Sequence, residues 1–395
     1  MGRIAAIDGL RGACLVLMTI SHLEFGRGYL LTYLHFKHLG FADSAQAFMF
    51  LSGLLVGLIG AKEHARSGPG AVARRNGRRA LQLYGWHLGL LLAALVASRL
   101  LPDAWPAWAD WLGHLFDDGP AYATAAATML YQPAYLDVLP QYILYLLAAP
   151  FLVHLVATGR AGVALACTAG LWLVAQAGLH VTPTLWLERS VVIGGTDVVL
   201  RSGFNPLGWQ LTFCSGLILG ALLQRGELTA AGLFPRGGAP LQLALGVLLV
   251  LAAVRLALSL GLLDEGSVAR LGGVDRRPDL GLLQTLGFAS LAYAVAWLLC
   301  RGTEADGRWA RRVGSLLRRA ATDPRLVAVG RHALPVFCYH AVLMYALRYA
   351  DAALGGFPGP LFNLVGAAAL ASLFLVARAL EAHRRLGPRP AARPS

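Results

Sequence analysis

The first apolar stretch of the chain contains three ionisable residues at helical spacing. Within residues 7–22, IDGLRGACLVLMTISH, Asp8 and Arg11 lie near the start and His22 lies at the end. Ionisable side chains inside a membrane are costly and usually mark function. Arg11 and His22 are separated by about 20° around a helix and by roughly 16 Å along it. We therefore expect one polar stripe on the first helix, with Arg11 and His22 at its two ends.

His22 is the residue of this stripe with the most versatile chemistry. An imidazole has an ordinary pKa of about 6.5, so it can take a proton from a hydroxyl group near neutral pH. Each residue also has a simpler interpretation. Asp8 could cap the helix, Arg11 could extend its head group to the membrane surface, and His22 could be an ordinary interfacial residue. Their shared face favours the functional interpretation over three separate structural ones.

Other kinds of site have little support in the sequence. The five cysteines lie in apolar stretches without a C-x-x-C partner, so we expect neither disulfides nor metal ligands. The sequence contains no H-E-x-x-H metal spacing and no G-x-x-x-x-G-K-[ST] phosphate loop. We therefore predict a site without a metal ion and without ATP hydrolysis.

The elements that position these residues are membrane helices. Hydrophobic residues make up 57% of the 395 and charged residues only 14%, whereas soluble domains have about 25% charged residues. A membrane span needs about 20 apolar residues. We predict an all-α polytopic membrane protein with ten transmembrane helices. They lie at about 4–23, 43–61, 79–100, 136–157, 161–181, 207–224, 239–262, 280–300, 331–350 and 360–380.

The basic residues of the connections orient these helices. Residues 62–79 contain six lysines and arginines and residues 301–325 contain seven arginines, whereas residues 101–135 contain neither type. Basic connections stay in the cytoplasm, so we predict that both termini are cytoplasmic. The net charge of +13 then reflects topology and some attraction to anionic lipid, and we expect no nucleic-acid partner. We expect one transmembrane domain, residues 1–383, followed by a basic cytoplasmic tail, residues 384–395.

This topology places several polar residues at the depth of His22. Asp43 and Asp137 open the second and fourth predicted helices from the outer side. Either carboxylate could orient the His22 ring or simply cap its helix; we favour Asp43 for orienting the ring, with Asp137 second. His340, near the middle of the ninth predicted helix, is either a packed histidine or a second catalytic candidate. The polar residues that we expect to contact a substrate are Asp8, Asn205, Trp209, Gln210 and His340.

Five segments in order resemble a known family of membrane enzymes. The Arg11–His22 spacing resembles the signature of the acyltransferase-3 superfamily. The resemblance narrows to the OpgC family through IDGLRG, DSAQAFMFLSG (43–53), YLDVLPQY (135–142), FNPLGWQ (204–210) and GRHALPVFCYH (330–340). OpgC proteins are glucan succinyltransferases of the bacterial inner membrane, and the family is understood to have ten helices.

The resemblance implies acyl transfer from a cytoplasmic acyl-CoA, succinyl-CoA or acetyl-CoA, to a hydroxyl of a periplasmic glycan. His22 matches the catalytic histidine of the family, and Arg11 matches the arginine of the motif. The phosphates of CoA would need positive charge at the cytoplasmic side, where guanidinium groups suit phosphate. We expect Arg11, Arg78, Arg79 and Arg331 to bind the donor, although topology alone accounts for much of the loop charge.

A membrane transporter of a small polar or anionic solute is the main alternative function. Polar residues in the first, fourth and ninth helices could line a pathway. The sequence shows no inverted repeat and no pair of broken helices in matching halves, which are typical of many transporters. The resemblance and the polar stripe both favour the acyltransferase.

Overall fold

The computed structural model describes residues 3–23, 25, 29–235 and 238–386, and this part of the chain is almost entirely helical. Residues 387–395 of the predicted basic tail, 384–395, lie outside the described residues. The helices are α1 (Arg3–His22), α2 (Ser44–Leu100), α3 (Ala104–Leu112), α4 (Gly119–Ala127), α5 (Val138–Ala157), α6 (Ala161–Gln176), α7 (Val181–Ser190), α8 (Pro206–Arg225), α9 (Ala230–Leu233), α10 (Ala239–Ser259), α11 (Glu265–Val274), α12 (Leu282–Arg301), α13 (Arg308–Ala321), α14 (Pro324–Arg331), α15 (Ala333–Ala353) and α16 (Gly359–Leu386). Single 3-10 turns lie at Leu31–Leu34, Phe36–Leu39, Gly113–Leu115, Arg277–Asp279 and Gly302–Glu304. Two short strands, β1 (Val192–Ile193) and β2 (Thr196–Asp197), pair antiparallel.

The described helices include several that can cross a membrane. Six are long and apolar enough to do so, and the count reaches eight if two sharply bent pairs, α6–α7 (76°) and α14–α15 (86°), are each one span. Helix α1 is not among the six. Each of the ten predicted segments overlaps a described helix over most of its length. The count of ten spans and the cytoplasmic placement of the termini stay predictions.

Helix α2 contains two of the predicted segments, 43–61 and 79–100. A straight helix of its 57 residues would be about 85 Å long, far beyond the ~30 Å hydrocarbon core. The helix breaks at Gly68, whose backbone angles are φ 75° and ψ 177°, immediately before Pro69. Glycine adopts this left-handed conformation without steric penalty, and proline cannot continue the hydrogen-bond ladder. Each arm of α2 is therefore long enough to form one span.

Glycine contacts bring the central helices together. A Cβ atom on Gly53 or Gly57 would overlap a carbonyl oxygen of α8, and one on Gly216 or Gly220 would overlap a carbonyl oxygen of α2. The same relation joins α1 to α14, because a Cβ on Gly330 would overlap the Asp8 carbonyl oxygen. Small residues let membrane helices approach closely enough for backbone to contact backbone. The backbone around Asp8 and Arg11 is thus fixed against α14.

Candidate active site

The end of α1 meets the middle of α15 through a pair of histidines. Nδ1 of His22 lies 3.1 Å from Nε2 of His340, and the two rings stack with centroids 5.0 Å apart. His340 is 2% exposed, whereas His22 is only partly buried. The expected substrate contact of His340 stays a prediction, but the structure places this residue directly beside the predicted catalytic histidine.

The hydrogen bond between the rings links the proton positions of the two histidines. In a neutral pair, one ring nitrogen donates and the other accepts. If Nδ1 of His22 donates, Nε2 of His22 keeps a lone pair and can act as a base. His340 then carries its own proton on Nδ1, which is buried and has no hydrogen-bond partner among the described residues. Nε2 of His22 also has no described hydrogen-bond partner and lies on a partly exposed ring. The arrangement can therefore present a free basic nitrogen.

Asp43 lies at the start of α2, where it makes contacts other than the expected one. Its Oδ1 accepts from the Ala45 amide (3.0 Å), and Gln46 Oε1 accepts from the Asp43 amide (2.7 Å), which completes a capping box. Its Oδ2 accepts from Nη2 of Arg277 (2.6 Å). Among the described residues, His340 rather than Asp43 contacts Nδ1 of His22. Asp43 therefore caps α2, as its simpler interpretation predicts. No described contact joins Asp43 to His22, so its role in orienting the ring stays a prediction.

Asp137 is buried in front of α5 and makes no side-chain capping bond there. Its Oδ2 lies so close to Gly203 that a Cβ at that position would overlap it. The cations Arg201 and Arg277 act electrostatically on this carboxylate. Asp137 makes no described hydrogen bond with His22, so its predicted role in catalysis stays a prediction. Its neighbour Tyr135 packs the edge of its ring against His22, with centroids 4.7 Å apart.

The residues expected at the start of α8 hold a neighbouring loop. Asn205 caps α8 through the Leu207 amide (3.0 Å) and donates to Asp279 Oδ1 (2.8 Å). Trp209 Nε1 donates to the carbonyl of Arg277 (3.1 Å). Gln210 lies further in, where its amide donates to the Thr168 carbonyl (2.7 Å). These contacts position Arg277 beside Asp43, and substrate contact by Asn205, Trp209 and Gln210 stays a prediction.

Arg11 is buried at the other end of the stripe. Its Nη1 donates to the Gly330 carbonyl (3.4 Å) and lies 3.7 Å from Asp8 Oδ1. The guanidinium lies 5.2 Å from the centroid of the Phe48 ring, and its Nε is buried without a described hydrogen-bond partner. A buried guanidinium with an unused donor has capacity for an anionic ligand. The Asp8 carboxylate contacts Arg11 here. A substrate contact of Asp8 stays a prediction.

The other predicted donor-binding arginines differ in what they contact. Arg79 is partly buried, and the charge of Arg11 acts on it; its Nη1 donates to Gln82 Oε1 (2.6 Å). Arg78 is exposed. Arg331 binds Glu381 of α16 (3.0 Å). The structure therefore groups Arg79 with Arg11, while Arg331 already has a carboxylate partner.

Sequence reasoning missed two residues beside His22. Tyr135 lies in the motif YLDVLPQY, and its position two residues before Asp137 was the available signal. Arg277 had no such signal, because it is 234 positions from Asp43 in a polar loop. The charges of Arg277 and Lys37 act electrostatically on His22. Arg277 also binds Asp43, so these two cations exceed that one carboxylate in charge, which favours an anionic group near His22.

Comparison with known proteins gives one match. A protein-family model with the description OpgC protein matches residues 3–385, nearly the whole chain. Neither the curated proteins nor the solved structures gave a match.

Proposed function

This chain belongs to the OpgC family, and on that premise we propose that it transfers an acyl group from cytoplasmic acyl-CoA to a hydroxyl of a periplasmic glucan. Membership of the family implies a glucan-modifying membrane acyltransferase. The observation that supports the reaction best is the pairing of His22 with His340, because Nε2 of His22 is available as a base when Nδ1 of His22 donates in this pair. We further propose the bacterial inner membrane as its location.

The proposed reaction needs only the proton chemistry of His22. Nε2 removes the proton of the sugar hydroxyl, and the oxygen attacks the carbonyl carbon of the thioester. The new C–O bond forms, the tetrahedral intermediate collapses, and the C–S bond breaks. The imidazolium returns its proton to the departing CoA thiolate. Substrates and products balance as thioester plus alcohol giving ester plus thiol, without a metal ion.

Arg11 and Arg79 are the proposed contacts of the donor. Arg11 is buried and Arg79 is partly buried, and the charge of Arg11, at the other end of the polar stripe from His22, acts on Arg79. Guanidinium groups bind phosphate oxygens with two parallel hydrogen bonds, whereas an ammonium group binds as a point charge. A donor held there would extend its pantetheine arm along α1 and present its thioester near His22.

A succinyl group is the acyl group that we propose. It carries a free carboxylate, and the charges of Arg277 and Lys37 act on the site around His22. An acetyl group is uncharged, so these cations would not attract it. A donor panel of succinyl-CoA and acetyl-CoA tests the choice directly.

Acyl transfer by the purified protein in lipid nanodiscs is the decisive experiment. Labelled succinyl-CoA and a short glucan should give labelled glucan, and His22→Ala should reduce the rate by about 10²–10⁴-fold, the usual contribution of a positioned base. His64→Ala is the matched control, because His64 pairs with a different histidine, His154 (3.2 Å). Glucan flux through proteoliposomes without consumption of acyl-CoA would instead establish a transporter.

A further inference from the structure

Tyr135 has an unusual backbone conformation next to His22. Its φ of 66° lies in the left-handed region, which residues other than glycine rarely adopt. Neighbouring contacts hold the segment in place: the Ala134 amide donates to the Trp111 carbonyl (3.0 Å), and the Tyr345 hydroxyl donates to the Ala134 carbonyl (3.0 Å). Backbone strain of this kind persists only where the surroundings fix it, and it clusters at active sites.

The hydroxyl of Tyr135 is unlike those of the neighbouring tyrosines. Tyr131, Tyr145, Tyr345 and Tyr349 each donate to a backbone carbonyl, at 2.8–3.0 Å. The hydroxyl of Tyr135 has no hydrogen-bond partner among the described residues, and its side chain is only partly buried. A tyrosine packed among aromatic rings normally finds a partner for its hydroxyl. Tyr135 therefore keeps a hydrogen-bond donor available on a partly buried ring that contacts His22.

The surroundings of Tyr135 fix the ring while leaving the hydroxyl available. The ring packs edge-on against His22 (4.7 Å) and against Trp111 (4.7 Å). The guanidinium of Arg348 lies 6.0 Å from the centroid of the Trp111 ring, and its charge acts on Tyr135 together with those of Arg277 and Asp137. Asp137 opposes negative charge near the phenol, and the two arginines favour it, so the positive charges exceed the negative one where an atom would accept the phenol hydrogen bond.

We propose that the Tyr135 hydroxyl donates a hydrogen bond to the acyl carbonyl oxygen when that oxygen becomes negative during transfer. This inference rests on the proposed function. When the sugar oxygen attacks, the carbonyl π electrons move to oxygen and Tyr135 stabilises the resulting oxyanion. The same electrons re-form the carbonyl as the C–S bond breaks, and His22, which has held the hydroxyl proton until then, gives it to the departing thiolate. Tyr135 keeps its own proton, as a phenol does near neutral pH.

Tyr135→Phe removes the donor while keeping the ring. Loss of one oxyanion donor lowers kcat by about 10²–10³-fold, and we expect this loss with unchanged KM values for succinyl-CoA and glucan. Tyr349→Phe is the matched control, since its hydroxyl donates to the Pro102 carbonyl (2.8 Å) away from His22, and kcat should stay at the wild-type value. Equal kcat for Tyr135→Phe and the wild type would overturn the proposal.

Fluorinated tyrosines at position 135 provide a second test that does not depend on how Phe folds. Fluorine makes the phenol a stronger hydrogen-bond donor with little change in ring volume. At a pH below the phenol pKa of each analogue, kcat should change steadily with phenol acidity if Tyr135 contacts the oxyanion. A flat series would assign Tyr135 a packing role and overturn the inference alone. A wild-type protein that transfers no acyl group from either donor would overturn the proposed function as well.

Discussion

Replacing His340 by leucine separates a positioning role of this histidine from a packing role. His340 accepts or donates the only described hydrogen bond of His22 Nδ1, at 3.1 Å. Leucine fills much of the same buried volume but can neither accept nor donate. If His340 fixes the His22 tautomer, the substitution should affect the reaction more than the fold.

The expected changes in kcat and in the free energy of unfolding follow from the contacts of His340. Without a partner for Nδ1, His22 divides between tautomers and ring orientations, so we expect kcat to fall about 10- to 100-fold, less than the 10²–10⁴-fold loss of the base itself. For stability, losing the partner of His22 Nδ1 costs about 1–3 kcal/mol. The substitution also removes the buried, unpaired Nδ1 of His340, whose burial carries a similar cost. These effects oppose each other, and the free energy of unfolding should change by no more than about 1–2 kcal/mol.

His340→Gln is the matched control for this experiment. Its side-chain amide can reach the former Nε2 position, and its oxygen can accept from Nδ1 of His22. We expect kcat to recover towards the wild-type value in this variant, with initial rates of labelled succinyl transfer as the assay and thermal unfolding in nanodiscs as the measure of stability. A leucine variant with wild-type kcat, or one whose loss of activity follows unfolding, would refute the positioning role.

Three further predictions concern the donor site, the helix contact and the topology. Arg11→Lys should weaken acyl-CoA binding measured by calorimetry, because an ammonium cannot form the planar fork; unchanged affinity would make Arg11 a structural residue. Gly330→Val should lower the unfolding temperature, because a side chain there overlaps the Asp8 carbonyl oxygen, and an unchanged melting curve would contradict the close contact of α1 with α14. In a cysteine-free background, an impermeant thiol reagent outside the cell should label Asp110→Cys and miss Gly70→Cys, and the reverse pattern would refute the predicted orientation.

The sequence by itself determined the helices and the stripe on the first of them. Runs of about 20 apolar residues have few alternatives to a membrane helix, and each of the ten predicted segments overlaps a helix of the structure over most of its length. The polar stripe of α1 could also be predicted from the sequence, since Arg11 and His22 share a helix whose geometry fixes their spacing. The family was also within reach, because its motifs are local runs of sequence, and the match over residues 3–385 confirmed it.

The bends between helices were harder to predict from the sequence. The predicted segment 161–181 extends past the end of α6 at Gln176, where the chain turns by 76° into α7. The segment 331–350 begins at a bend of 86° between α14 and α15. The α6–α7 bend lies in a mainly apolar stretch, so a hydropathy pattern could not locate it. The α14–α15 bend contains Arg331 and His332, and polar residues of this kind show where an apolar segment starts but not that the helix turns there.

The tertiary structure alone decided which groups meet at His22. Asp43 appeared suited to orient the ring because both residues have the same predicted depth, but depth does not specify direction. In the structure Asp43 caps α2 and binds Arg277, and His340, 318 positions away in sequence, contacts His22. The left-handed backbone of Tyr135 depends on hydrogen bonds to its neighbours from α3 and α15. Helical periodicity reflects contacts between residues three and four positions apart. It therefore cannot predict pairs of residues that come together only when distant helices pack.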